Sequence, residues 1–320
     1  MTGKLAIFLL LGAFSAYSWD DMKSILVMQG FAGVSLFSVF LLMALGLALI
    51  FGQMKVINMA HGEFLTVGAY TTVFVSNMVQ SYAPSLFSWY YPFAVILAFI
   101  FAFMIGWLVE VAIIRRLYQR PLDTLLATWG LSMIMQETFR QTFGARETSA
   151  MLPEWLMGSW APTENIDIPI NGLFLLGLAV VMTTVIYLMM YRSRWGLRVR
   201  ATVLNRPMAG AVGINTKATD RLTFALGCGT AGIAGAAFTT IGSVSPSAGS
   251  LYIVDTFMVV VFGGAGSLVG TILSAFGIAQ AQSVMEFFLS GVLAKVFTLL
   301  AVVCILMIRP QGLIAAKIRK

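Results

Sequence analysis

The chain has 320 residues, 59% of them hydrophobic and only 10% charged, with 7 Trp, 24 Phe and 19 Met, which excludes an ordinary soluble domain and indicates a polytopic membrane protein. Its formal net charge is +7, but the basic residues lie in short loops between apolar runs. The charge therefore reads as a topology signal, and no nucleic-acid partner is expected.

The opening "MTGKLAIFLLLGAFSAYSWDD" carries one positive charge, a short apolar core and small residues near Ser15 to Ser18. Residues 1–18 are thus either a signal peptide or a short N-terminal anchor helix, and 19–320 form a single transmembrane domain. Runs such as "FAVILAFIFAFMIGWLVEVAII" (93–114) show no strict alternation, so helices rather than a barrel satisfy the backbone in lipid. The fold class expected is an all-α polytopic membrane protein of about 8–9 transmembrane helices.

Spans are predicted at 25–51, 56–80, 91–114, 123–143, 171–191, 219–241 and 288–308, with a glycine-broken stretch over 251–286. Basic loops hold Arg115, Arg116 and Arg120, then Arg192 to Arg206, then the tail with Lys317, Arg319 and Lys320. Placing these in the cytoplasm satisfies the positive-inside rule, puts the C-terminus inside and leaves 153–169 outside. Parity then requires that 251–286 not be one ordinary crossing. Gly263, Gly264 and Gly266 break "VVVFGGAGSLVG" (259–270), predicting a re-entrant half-helix over 252–262 and a helix over 267–285. Two closely packed short crossings serve as well.

The two halves echo each other weakly: "LALIFGQMKVIN" and "MVVVFGGAGSLV" both run apolar to Phe-Gly and then break, as the interrupted segments of inverted-repeat transporters do. Gly227, Ala231 and Gly235, with Gly232 and Ala236 beside them, form small-residue stripes that let helices approach closely. Cys228 and Cys304 lie far apart in apolar runs, so no disulfide framework or metal cluster is expected. Glu137 and Arg140 are i, i+3 neighbours able to neutralise each other, and Glu110 with Arg115 and Arg116 sits at a membrane edge.

The longest inner loop, 192–218 and just beyond, contains a readable helix: Asn205 as N-cap, Pro207 in the first turn, Met208, Ala211 and Val212 on one face, and Gly213 as the stop. That apolar face needs a cover, either a partner protein or anionic lipid met by Arg194, Arg198, Arg200 and Arg206. No G-x-x-x-x-G-K-[ST] phosphate loop is present, so an ATP-driven transporter would have its motor on another chain.

"FGQMKVINMAHGEF" (51–64) gathers Lys55, Asn58, Glu63 and His61, the single histidine, into one short stretch. Three readings are open. Asn58 and His61 bond to neighbouring helices, or these groups line a translocation path, or His61 and Glu63 form a proton relay or metal site. No HExxH or other nucleophile and base set supports an enzyme.

Four motifs resemble one family: "INMAHGEFLTVGAY" (57–70), "RPLDTLLATWGLSMIMQ" (120–136), "GLRVRATVLNRPMAGAVGINT" (196–216) and "VVFGGAGSLVG" (260–270) look like the permease subunits of branched-chain-amino-acid-type ATP-binding-cassette importers. Within it, "PLDTLLATWGLS" and residues 245–271 look most like the first permease subunit of the urea ABC transporter. The resemblance implies a bacterial inner-membrane complex with a second homologous permease, two cytoplasmic ATPases that bind the ATP, and a periplasmic solute-binding protein; no cofactor is expected in this chain. It makes 205–216, including Asn215, the coupling helix. The resemblance makes urea or a short amide the expected solute, and scattered polar groups at Asn58 and His61 with exposed backbone at Gly263, Gly264 and Gly266 match such a neutral molecule; these residues and Glu63 are the candidate translocation pathway. A branched-chain amino acid is the alternative, and a passive urea channel is the alternative from another class.

Overall fold

A computed structural model describes residues 19–118, 120–163 and 166–314. The expected signal peptide or anchor over 1–18, and the basic tail at Lys317, Arg319 and Lys320, lie outside the described residues.

The first helix, α1 (Trp19–Met54), has 36 residues, or about 54 Å at a helical rise of about 1.5 Å. It outruns the roughly 30 Å of hydrocarbon, and its second half is the axis of the molecule, buried almost without interruption from Phe37 to Ile50. Next come α2 (His61–Tyr82), a 3-10 turn (Pro84–Trp89) and α3 (Tyr90–Val109), which continues through a π-helical turn (Glu110–Ile114) to Leu117. Then follow α4 (Pro121–Phe143), α5 (Ile170–Arg192), α6 (Arg194–Leu204), α7 (Arg206–Ala211), α8 (Thr216–Phe238), α9 (Ala248–Gly263), α10 (Leu268–Phe288) and α11 (Gly291–Ile308).

Six helical stretches among the described residues are long and apolar enough to cross a membrane, and α9 is a shorter apolar helix. Although α2 and α4 have 22 and 23 residues, Thr, Ser, Gln and Glu side chains lower their hydropathy beneath that of the six. Burial separates centre from rim. The apolar windows of α1 and α8 are 78% and 83% buried, those of α5 and α11 only 22% and 17%. The rim presents Phe93, Ile96, Val180, Val181 and Val292 outward, an apolar exterior that lipid covers and water would not.

What binds the centre is backbone proximity. Helix α8 packs against α1, α2 and α3. A Cβ added at Gly68 would collide with Gly232 O, at Gly235 with Leu65 O, and at Gly46 with Gly227 O. The stripes read from sequence are these contact lines: without a hydrophobic drive between helices in lipid, packing at short range supplies the attraction.

The glycine break is seen as expected in kind, with wider limits: α9 starts at Ala248 rather than 252, and α10 ends at Phe288 rather than 285. Gly264 and Gly266, both at φ +95°, make the turn. Several short elements were not foreseen, among them the 3-10 turn at Pro84–Trp89 and a helical turn at Glu154–Met157. Helix α6 is capped by Ser193, whose hydroxyl accepts from Gly196 N at 3.1 Å. In the loop after α4, Ser159–Thr163 and Ile166–Pro169 pair as an antiparallel hairpin.

Candidate functional site: the start of α2

The chain leaves α1 at Met54, turns at Lys55 (φ 55°) and runs non-helically to Ala60 before α2 begins. Helix α2 does not begin level with the end of α1. His61 Nε2 lies 3.2 Å from Met43 O, and α1 continues eleven residues further, from 43 to 54, about 16 Å of helix. The 55–60 segment has therefore turned back into the bundle. This corrects the expectation of a span from 56: Asn58 lies in the non-helical segment and His61 is the first residue of the helix.

Irregular backbone at that depth must find partners inside the protein. Asn58, wholly buried, accepts from Ala60 N at 3.1 Å through Oδ1, and its carbonyl accepts from His61 N at 3.2 Å. Met59 N donates to Thr128 Oγ1 of α4 at 3.1 Å. Two residues beyond His61, and so roughly 200° round the helix, Glu63 faces α4 and accepts from Ser132 Oγ at 3.0 Å and Gln136 Nε2 at 2.7 Å. His61 and Glu63 thus point to different helices, and the fold does not bring them together as a relay.

These contacts reveal a set that sequence reading missed. Thr124, Thr128, Ser132 and Gln136 recur every fourth residue on α4, a period that stacks them on one face. Thr124, Thr128 and Ser132 are buried, while Leu122, Leu126, Trp129 and Ile134 are exposed. A polar seam against α2 with a greasy back is the reverse of a soluble amphipathic helix. The signal was legible in "TLLATWGLSMIMQ", had the polar rather than the apolar period been counted.

Three side-chain atoms within six residues, Asn58 Nδ2, His61 Nδ1 and Glu63 Oε2, are buried without a hydrogen-bond partner among the described residues. Unpaired buried polar groups are costly, about 1–3 kcal/mol each, and their concentration in six residues singles this stretch out as the candidate site.

Gly263 and Gly264 are buried, and Gly266 is half-buried. Gly263 packs on Gly270, Gly264 on Ile314, and Gly266 on Gly52 near the end of α1. After α11 the chain folds back, and Leu313 N donates to Phe262 O at 2.8 Å and Ile314 N to Gly263 O at 3.4 Å, closing carbonyls at the end of α9. This turn sits at Gly52, about 9 Å of helix beyond Gly46, against which His61 packs. The two chain breaks that echo each other in sequence therefore touch, through Gly52 and Gly266.

The 205–215 segment forms as the sequence indicated. Asn205 Oδ1 accepts from Met208 N at 3.0 Å, Pro207 lies in the first turn, and Gly213 (φ +84°) closes the helix, with Gly213 N on Gly210 O and Ile214 N on Ala209 O, both at 3.0 Å. Asn215 then caps α8 through Ala218 N at 3.0 Å. Ala209 faces inward, while Met208 and Val212 are 60% and 68% exposed and Ala211 is exposed beside them.

One further polar contact stands apart. Lys295 of α11 meets Asp255 of α9 at 2.9 Å, with the carboxylate buried and the ammonium 4.9 Å above the Tyr252 ring.

A family model described as "Branched-chain amino acid transport system / permease component" matches residues 30–307. The chain is 27% identical over 293 residues to the high-affinity branched-chain amino acid transport system permease protein LivH of Salmonella typhimurium, covering 89% of this chain and 94% of that one. LivH of Escherichia coli K12 is 26% identical over 292 residues, with the same coverage of 89% and 94%. The probable branched-chain amino acid transport permease protein LivH of Methanocaldococcus jannaschii is 22% identical over 315 residues, covering 92% and 93%. No solved structure matches the chain.

Proposed function

Since this chain belongs to the branched-chain amino acid transport permease family, we propose that it is a membrane-crossing subunit of an ATP-binding-cassette importer whose solute is a branched-chain amino acid. The observation that carries the reading is the start of α2 deep within the bundle, where Asn58, His61 and Glu63 keep unpaired polar atoms beside the α4 seam. Such a place offers hydrogen-bond donors and acceptors inside the bundle, and a solute passing it would find the groups it loses on leaving water.

The relatives' names favour a branched-chain amino acid over urea. Urea or a short amide is the second reading, favoured by the resemblance of 121–132 and 245–271 to a urea permease and by the absence of an ion pair among the described residues at Asn58 and His61.

ATP is bound and hydrolysed by partner chains in this reading, with two cytoplasmic ATPases, a second permease and a solute-binding protein completing the complex in the bacterial inner membrane. Helix α7 is the docking element. Its exposed Met208, Ala211 and Val212 fit a groove on an ATPase, and the Asn205 cap at its own start, followed by the Asn215 cap at the start of α8, makes it a stiff lever rather than a floppy loop. Because Asn215 caps α8, and α8 packs on α1, α2 and α3, a push on α7 reaches the helices around Asn58. The loop 192–218 and the C-terminus are cytoplasmic in this arrangement.

The test is uptake by cells from which this chain is deleted. Loss of labelled leucine and isoleucine uptake with unchanged urea uptake supports the first reading. The opposite pattern selects urea, and no change in either removes both.

A further inference from the structure

Where α1 and the Pro84–Leu117 span end and α8 begins, Arg115, Arg116, Tyr118, Arg120, Arg206 and Lys217 surround a cleft of about 650 Å³. Two of the five cations have carboxylate partners: Arg206 reaches the buried Asp220 at 2.5 Å, and Arg120 meets Asp123 at 3.5 Å. Arg115, Arg116 and Lys217 form no ion pair among the described residues, and all three are exposed. The Arg206 guanidinium lies 5.2 Å over the Tyr118 ring, and the Tyr118 hydroxyl donates to Glu110 at 3.0 Å. Burial, with Asp220 and Glu110 nearby, pushes that phenol well above the usual tyrosine range, so it stays a donor and adds no negative charge to the wall.

The depth of the cleft selects its ligand. Arg115 and Arg116 stand in the last turn of one apolar span and Lys217 in the first turn of another, so their charges lie at the level where hydrocarbon gives way to headgroups. Guanidinium groups match the paired oxygens of a phosphate, and a basic pocket between spans at this level fits an anionic headgroup. The apolar docking face of α7 is a different surface, formed by Met208 and Val212, neither of which lines the cleft.

We propose that this cleft is a binding site for the phosphate headgroup of an anionic phospholipid. It is independent of which solute the chain carries. Since one wall is formed by Arg115, Arg116, Tyr118 and Arg120 and the other includes Arg206 at the start of α7, a bound headgroup would tie α3 to the element proposed to receive the motor.

The full-length protein in nanodiscs is the material for the test, with phosphatidylglycerol against phosphatidylcholine as probes and native mass spectrometry as the readout. The triple variant Arg115→Gln, Arg116→Gln, Lys217→Gln is expected to lose phosphatidylglycerol affinity by about a hundredfold, a factor of about five for each cation removed. Arg194→Gln with Arg198→Gln, away from the cleft, should leave it unchanged, and Arg115→Lys with Arg116→Lys should retain most of it. Equal lipid binding by the triple variant and the unaltered protein overturns the proposal. Displacement of the lipid by inorganic phosphate would show the cleft to be a soluble-phosphate site instead. If lipid leaves an Arg115→Cys thiol reactive and only added ATPase subunits shield it, the surface is a protein contact and the proposal fails.

Discussion

Gln136 of α4 donates a 2.7 Å hydrogen bond to Glu63 of α2, and Ser132 donates a second at 3.0 Å to the same oxygen. The three side chains hold α4 to the rest of the bundle along a polar seam rather than an apolar one. Replacing Glu63 by Leu should leave the buried Ser132 hydroxyl without its acceptor and the half-buried Gln136 with only its 3.2 Å bond to Ser132 Oγ, at a cost of about 1–3 kcal/mol, and should lower uptake. Glu63→Gln keeps acceptor capacity and should cost less. Thermal unfolding in nanodiscs and uptake by cells, measured on the same variants, check this; indifference of both to Glu63→Leu would remove the seam from the account.

The central helices depend on glycine for proximity, not flexibility. Gly235→Ala puts a methyl group against Leu65 O and should destabilise by about 1–3 kcal/mol, the range for overpacking. Gly177 on α5 has open space at its Cβ, so Gly177→Ala should stabilise by about 0.5–1 kcal/mol. Opposite shifts in melting temperature for two substitutions of the same kind would confirm that position, rather than residue type, decides.

Lys295 and Asp255 couple α11 to α9. Asp255→Asn or Lys295→Met alone leaves a partner uncompensated and should cost somewhat less than the roughly 3 kcal/mol of a fully buried pair, because the Lys295 side chain remains 36% exposed. The double variant should recover much of the loss. Additive melting shifts in the double-mutant cycle would show that the two do not interact.

Docking through α7 predicts a separation of folding from coupling. Met208→Glu places a charge on a 60% exposed position and should leave the melting temperature within about 0.5 kcal/mol of the unaltered protein. Co-purification of ATPase subunits should fall sharply. Asn205→Ala should remove a cap worth about 1 kcal/mol and loosen the same element. Retained co-purification with Met208→Glu would place the docking surface elsewhere.

Much of this arrangement was legible because membrane-crossing helices announce themselves by length and because glycine and asparagine act locally. The small-residue stripes around Gly232, the glycine break at Gly264 and the caps at Asn205 and Gly213 all follow from steric or hydrogen-bonding demands of the residues themselves. Two kinds of feature were hidden. The retreat of 55–60 into the bundle depends on what surrounds it: nothing in "KVINMA" forces a non-helical path until Thr128 is present to accept from Met59 N and Met43 O to receive the His61 ring that follows. The seam on α4 was masked by its own apolar back, which made 123–143 read as a plain span. Helix α6 was hidden by a dense run of arginines, although Ser193 signalled its start.

The most direct measurement is transport by purified components in sealed proteoliposomes. Vesicles holding this chain, its permease partner and the two ATPases, with the binding protein outside and ATP within, should accumulate labelled leucine, and vesicles lacking the ATPases should accumulate none. Leucine or urea crossing membranes that contain this chain alone would contradict the account.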